Sequence, residues 1–188
     1  MSILKWISRH RGTFIALPLV FSCICFYKET ENDQLLWPAG TMMILLGLIV
    51  RIWSQQHIQR RLKLPQQLTT TGPYALVRNP LYIGNIVINT GATVLSELLW
   101  MVPITFLWCL GIYSLVVRYE ERRLLERYGE LFHSYMVETP RWFPRSLRIR
   151  KSDSITQYLR TLMKIETSCL LILIPFMLKE FVSPLFEH

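Results

Sequence analysis

A chain of 188 residues, 51% of them hydrophobic and with a mean hydropathy of +0.27, has the length of one domain but more long uncharged runs than a soluble core calls for. The net charge of +8 does not point to nucleic acid. The basic residues flank apolar runs and form no separate soluble patch, and in that position they suit anionic lipid.

In chain order, Gly12 to Tyr27 and Gln34 to Val50 carry no charge, and neither do Leu81 to Ser96 and Leu98 to Val117, which Glu97 separates. With flanks each reaches about 17–25 residues, the length of a helix that crosses a hydrocarbon core. A fifth run, Thr167 to Leu178, is shorter and ends at Lys179 and Glu180. The expected fold class is all-α: a polytopic membrane bundle of about five transmembrane helices (roughly 12–27, 35–53, 81–97, 98–117 and 167–186) in a single domain 1–188. The run from Leu81 through Val117 reads as a hairpin turning at Ser96-Glu97, with Gly84, Gly91 and Ala92 of one arm facing Gly111 and Ser114 of the other. Asn85 and Asn89, four apart on one helix face, should point into protein or toward a polar cavity.

Lys5, Arg9 and Arg11 precede the first run, whereas Glu29, Glu31 and Asp33 follow it. Arg51, Arg60, Arg61, Lys63 and Arg78 follow the second, and Arg118, Arg122 and Arg123 the fourth. The positive-inside rule then places the N-terminus, the 54–80 connection and residues 118–166 in the cytoplasm, with a bacterial inner membrane favoured over the endoplasmic reticulum. The first run lacks a small-x-small cleavage site and reads as a retained span. Cys23, Cys25, Cys109 and Cys169 lie within apolar segments without His or acidic companions, which reads as neither a metal site nor a disulfide framework.

Two polar clusters carry the candidate chemistry. The first runs from Gln59 through Gln66-Gln67-Leu68-Thr69 and Gly72-Pro73-Tyr74 to Arg78-Asn79-Pro80-Leu81-Tyr82-Ile83-Gly84. Asn79 is suited to cap a helix that Pro80 starts, and the open N–H groups there suit an anion. The second holds Arg118-Tyr119-Glu120-Glu121, then Tyr128-Gly129, and ends at Pro140-Arg141-Trp142-Phe143-Pro144. Within it Leu124, Leu125, Tyr128, Leu131, Phe132 and Tyr135 recur at helical spacing, the pattern of an interface-lying helix. Read alone, the first cluster is a capped helix entrance and the acid pair a surface ion-pair network. The hairpin brings both to one membrane surface.

Together, Gly-Pro-Tyr, Arg-Asn-Pro-x-Tyr-x-Gly, the hairpin, Glu-Glu-x-x-Leu and Pro-Arg-Trp-x-Pro over roughly residues 55–144 resemble the superfamily of isoprenylcysteine carboxyl methyltransferases and related phospholipid methyltransferases. The resemblance implies a membrane enzyme with a cytoplasmic S-adenosylmethionine pocket. Carried over by position, cofactor contacts fall on Gln59, Gln66, Gln67, Leu68, Thr69, Tyr74, Asn79, Pro80, Leu81, Tyr82 and Glu120. Arg118 and Glu121 are the candidates for orienting the acceptor, expected to be a lipid-like or apolar molecule; no metal and no nucleic acid is expected as partner. Asn79 stands where the isoprenylcysteine enzymes carry His, and Val116 where they carry a substrate-facing Arg, which puts carboxyl methylation in doubt. Two rival readings are an NADPH-dependent sterol or polyprenol reductase, which shares these motifs, and a non-enzymatic membrane scaffold.

Overall fold

The computed structural model describes residues 3–25, 32–62, 68–145 and 174, with the backbone alone for 59–62. All regular structure among them is helical: α1 (Ile3–Arg9), α2 (Arg11–Ile24), α3 (Asp33–Leu62), α4 (Pro73–Leu76), α5 (Pro80–Leu95), α6 (Met101–Tyr128) and α7 (Glu130–Glu138).

The expectation of about five spans is corrected. Among the described residues two helices, Asp33–Ile58 and Met101–Tyr128, are long and apolar enough to cross a membrane. Arg11–Ile24 and Pro80–Leu95 are apolar but have only 14 and 16 residues, or about 21 and 24 Å at 1.5 Å per residue, against a hydrocarbon core of about 30 Å. Freedom from charge belongs to the run, whereas the helix inside it is trimmed by turns. The first run loses Cys25, and the third ends at Ser96-Glu97, where Glu97 takes the left-handed φ of 63° that reverses the chain. Of the fifth expected span only Ile174 is among the described residues. Outward-facing Leu17, Val20 and Phe21 on α2, Leu45, Leu46 and Ile49 on α3, and Phe106, Leu107 and Trp108 on α6 present an apolar surface consistent with partial embedding in a membrane.

The closest helix contact is α3 on α5. Gly40 and Gly47 of α3 are two turns apart, as are Gly84 and Gly91 of α5, and the pairs meet in antiparallel order. A Cβ placed on Gly47 would lie 2.8 Å from the Gly84 carbonyl oxygen, and one on Gly40 would lie 2.9 Å from that of Gly91. Small residues allow this approach where apolar surroundings give little other reason for helices to associate. Ile44, Leu48, Ile88, Ala92 and Leu95 fill the space beside the glycines. The glycine stripe of α5 therefore serves α3 and not α6, contrary to the sequence expectation; Gly111 has no neighbour in reach of a Cβ. The α5–α6 hairpin does form, joined instead by the Thr93–Thr105 hydroxyl bond (3.1 Å) and by stacking of Tyr82 on Tyr113 (centroids 4.7 Å apart). On the other side of α6, the Trp108 indole donates to the Phe14 carbonyl at 2.8 Å and ties α2 in place.

The helical spacing from Leu124 to Tyr135 belongs to two helices and not one. Gly129, at φ 53°, ends α6 and starts α7, so Phe132 and Tyr135 are buried while Leu125 and Leu131 stay exposed. Such a reversal favours glycine.

Gly47→Val should place its side chain against Ile88 and the Gly84 carbonyl and cost about 1–3 kcal/mol, the usual range for overpacking. Gly111→Ala should be neutral or slightly stabilising, since helical Ala is favoured over Gly by up to about 1 kcal/mol. Thermal unfolding in detergent compares them, and equal melting temperatures for both variants would contradict the α3–α5 contact.

Candidate functional site

Adjacent residues on an α-helix point about 100° apart, and this divides the two acids of α6 between different tasks. Glu120 faces α5 and α2: the Tyr82 hydroxyl donates to its Oε1 at 2.7 Å and Arg11 Nη1 reaches the same oxygen at 3.0 Å. Arg11 also lies 3.3 Å from the Tyr82 hydroxyl. The Glu120 side chain is 37% exposed and that of Arg11 45%, so this ion pair lies at a solvent-facing surface, where such pairs contribute at most about 1 kcal/mol.

Glu121 turns inward and is only 11% exposed. Arg141 grips it with two nitrogens, Nε to Oε1 at 3.2 Å and Nη2 to Oε2, while Arg78 Nε approaches Oε1 at 3.4 Å. The same Arg78 donates its backbone N–H to Pro140 O at 2.9 Å, and the Tyr135 hydroxyl donates to Tyr74 O at 2.7 Å. The segment before α5 is thereby fastened to the one after α7. Burial pulls the Arg78 guanidinium below its ordinary range, partly countered by Glu121. Burial also pushes the Tyr74 and Tyr135 hydroxyls well above the usual phenol range, so both stay protonated donors.

Asn79 precedes α5 but does not cap it with its side chain; its carbonyl accepts from the N–H groups of Tyr82 and Ile83 instead (3.2 and 3.3 Å). Its side-chain nitrogen is buried without a hydrogen-bond partner, an arrangement that costs free energy unless a ligand completes it. Pro80 is fully buried under the helix start, and Leu81, Leu68, Thr69 and Tyr74 are half-buried. Arg118 is exposed. Gln59 lies in the last turns of α3 with its side chain outside the description, and Gln66 and Gln67 lie outside the described residues. Of the residues expected from sequence, Tyr82 and Glu120 are thus joined directly, Asn79 lies one turn before Tyr82, and Glu121 is held in a clamp apart from them.

Beneath α4 and α7 lies a pocket of about 600 Å³, lined among others by Thr70, Leu76, Ser134, Tyr135, Glu138 and Arg145. Sequence reasoning missed Arg11 as a partner of Glu120. The two are 109 residues apart, and Arg11 on its own reads only as a topology-setting charge. It also missed the role of Arg51, whose Nη1 bonds Asn85 Oδ1 at 2.7 Å between α3 and α5. The Asn85 face does look into protein, as its spacing suggested.

Residues 36–131 match the family model described as phospholipid methyltransferase. The chain is 32% identical over 128 residues to the nickel-cobalt-cadmium resistance protein NccN of Alcaligenes xylosoxydans xylosoxydans, covering 68% of this chain and 58% of that protein. It is 30% identical over 147 residues to the cobalt-zinc-cadmium resistance protein CzcN of Cupriavidus metallidurans, covering 75% of this chain and 67% of the relative. No solved structure matches. These relatives overturn the expectation that metals have no place among the protein's partners, since both are named for metal resistance. Among the described residues no three His, Cys, Asp or Glu side chains gather where an ion would be held.

Arg141→Ala should leave the inward Glu121 carboxylate with one of its two arginine partners, at a cost of about 1–3 kcal/mol. Faster proteolysis at the segments around Tyr74 and Pro140 than in the parent protein is the expected readout. Unchanged cleavage and melting temperature would show that the clamp contributes nothing.

Proposed function

Because the chain belongs to the phospholipid methyltransferase family, we propose that it transfers a methyl group from S-adenosylmethionine to a lipid-like or apolar acceptor at the membrane. The observation that carries this reading is the 2.7 Å bond between Tyr82 and Glu120, which joins the two sequence clusters at one mouth beside the orphaned Asn79 donor. The residues present fit the cofactor. Glu120 offers a partly exposed carboxylate to hydroxyls or an ammonium group, and the Asn79 side-chain nitrogen offers a buried donor to a carboxylate or a polar ring edge.

S-adenosylmethionine, when bound, supplies a methyl group activated by a sulfonium. The chain's own work is alignment and desolvation. Tyr82 fixes the Glu120 carboxylate, and the stacked Tyr82 and Tyr113 rings form an apolar wall that excludes water. The clamp of Arg78, Glu121 and Arg141 holds the two cytoplasmic segments together, so Glu121 acts by positioning them. Arg118, on the exposed side of α6, is left to attract anionic headgroups. The core at 55–144 within a single domain, with the mouth facing the cytoplasm, completes the proposal.

The family resemblance that includes isoprenylcysteine carboxyl methyltransferases is not extended to their substrate, because Val116 is wholly buried in the apolar cluster with Tyr82, Ile86 and Tyr113. The chain spans 58% and 67% of the two metal-resistance relatives. On their names we place the methyl transfer in the setting of resistance to divalent metal ions.

Calorimetric titration of the detergent-purified protein with S-adenosylhomocysteine tests the cofactor. Glu120→Ala should abolish saturable binding without lowering the melting temperature. Asn79→Leu should weaken binding about five- to thirtyfold, the equivalent of roughly 1–2 kcal/mol for one buried hydrogen bond. Unaltered affinity in Glu120→Ala would remove that assignment, and binding of NADPH alone would make the protein a reductase. In a metal-sensitive bacterium, the parent chain but not Glu120→Ala should improve growth in cobalt or cadmium.

A further inference from the structure

The cavity of about 600 Å³ beneath α4 and α7 takes no part in the proposed reaction, since none of the described residues assigned to the cofactor lines it. One helical face of α7 turns toward it, with Leu131, Ser134, Tyr135 and Glu138 at positions i, i+3, i+4 and i+7. Thr70, Ala75 and Leu76 come from the segment around α4, and Thr139, Pro140 and Arg145 from the segment beyond α7. A cavity of that size takes a ligand well beyond a single amino acid or an inorganic ion.

Two of its features indicate what it would hold. Thr139 lines the cavity and is only 6% exposed, yet among the described residues its hydroxyl has no hydrogen-bond partner. A buried hydroxyl open to a cavity is completed by a ligand or by water. Independently, the described residues that line the cavity include one acid, Glu138, and one base, Arg145. Among the described residues neither forms an ion pair, with the other or elsewhere. The two charges cancel, so the cavity favours neither an anion nor a cation, whereas a ligand carrying both charges meets each with its opposite. Ala75, Leu76, Leu131 and Pro140 add apolar wall. Leu131, Val137 and Phe143 also leave apolar side chains exposed around α7, as a segment in contact with lipid does.

We propose that the cavity binds the head group of a zwitterionic membrane lipid. The ammonium meets Glu138, the acidic group meets Arg145 and the Thr139 hydroxyl, and the start of the chains follows Leu76 and Leu131. This lipid is not the methyl acceptor, because Glu120 and Tyr82 do not line the cavity, and the site stands independently of the methyl-transfer reading. The cavity does adjoin the segment before α5: the Tyr135 hydroxyl donates to Tyr74 O at 2.7 Å, and Pro140 O accepts from the Arg78 N–H at 2.9 Å. A lipid seated against Tyr135 and Pro140 braces both of these links.

The probe is dihexanoylphosphatidylcholine, whose quaternary ammonium has no position left to methylate. It is compared with anionic dihexanoylphosphatidate, with cationic hexyltrimethylammonium, and with glycerophosphocholine, which keeps the zwitterion and lacks the chains. Affinities are read by thermophoresis of the full chain in a non-ionic amphipol, with S-adenosylhomocysteine titrated in parallel. Dihexanoylphosphatidylcholine should bind saturably, at least about tenfold more tightly than either singly charged probe, the worth of one charge-assisted contact, and more tightly than glycerophosphocholine. Glu138→Gln should remove its advantage over the phosphatidate, Arg145→Gln its advantage over the cation, and Thr139→Val should weaken it severalfold. Melting temperatures should stay at the parental value, since Glu138 and Arg145 are exposed and Val is isosteric with Thr. No saturable binding, equal binding of the zwitterion and both singly charged probes, or parental affinity in both Glu138→Gln and Arg145→Gln would each overturn the site. Glycerophosphocholine binding as tightly as the lipid would overturn the lipid assignment in favour of a free zwitterion. Saturable lipid binding in a protein that takes no S-adenosylhomocysteine would keep this site and remove the methyl-transfer reading, and the converse would remove the site alone.

Discussion

The backbone contact between α3 and α5 is the constraint on which the remaining geometry rests. With glycines at 40, 47, 84 and 91 the two helices approach until carbonyl oxygens lie where side chains would otherwise stand, and the register is set because each glycine has one partner. That register brings Arg51 beside Gly84 and within reach of Asn85. It also leaves the opposite face of α5 to α6, where Tyr82 stacks on Tyr113. A helix pair held by larger residues would separate Arg51 from Asn85 by the width of a side chain, and the polar contacts within the apolar bundle would be lost.

The neighbouring acids illustrate how helix geometry turns one sequence feature into two functions. The rotation of about 100° between them sends Glu120 to a solvent-facing surface and Glu121 into a buried clamp. The exposed member is held by buried Tyr82 and by exposed Arg11, of which Arg11 can yield to a ligand at small cost. The buried member is gripped by Arg141 and approached by Arg78, and releasing it would leave a carboxylate in poorly solvated surroundings. The difference in exposure is the physical reason that the proposed cofactor contact falls to one acid and fastening of the segments around Tyr74 and Pro140 to the other. The arrangement is economical, since the clamp holds Arg78, and hence the start of α5 with Asn79, in a fixed place relative to Glu120.

The metal-resistance relatives and the family assignment act on different levels. Family membership concerns a fold and a class of reaction, whereas the names of NccN and CzcN concern a setting in which such a reaction is used. A protein can serve metal resistance by altering the membrane and need not bind the ion itself, and the proposed lipid-like acceptor is compatible with that.

Much of the fold and part of the site were legible in the sequence. Uncharged runs bounded by arginines implied helices in apolar surroundings, and Ser96-Glu97 marked the hairpin because nothing else interrupts that run. The nearness of the two polar clusters followed from that hairpin, and the Tyr82–Glu120 bond itself came from the tertiary structure. Helix length was not legible, because a run without charge includes turn residues that hydropathy does not distinguish; α2 and α5 came out too short for the spans assigned to them. Which neighbour the glycines face was not legible either, because a small-residue stripe permits close approach without naming its partner. Arg11 meeting Glu120 across 109 residues, and Arg51 meeting Asn85 across 34, were decided by tertiary structure alone. Local sequence fixes which side chains share a helix face, whereas the rotation and register of one helix against another come from packing, which no single segment encodes.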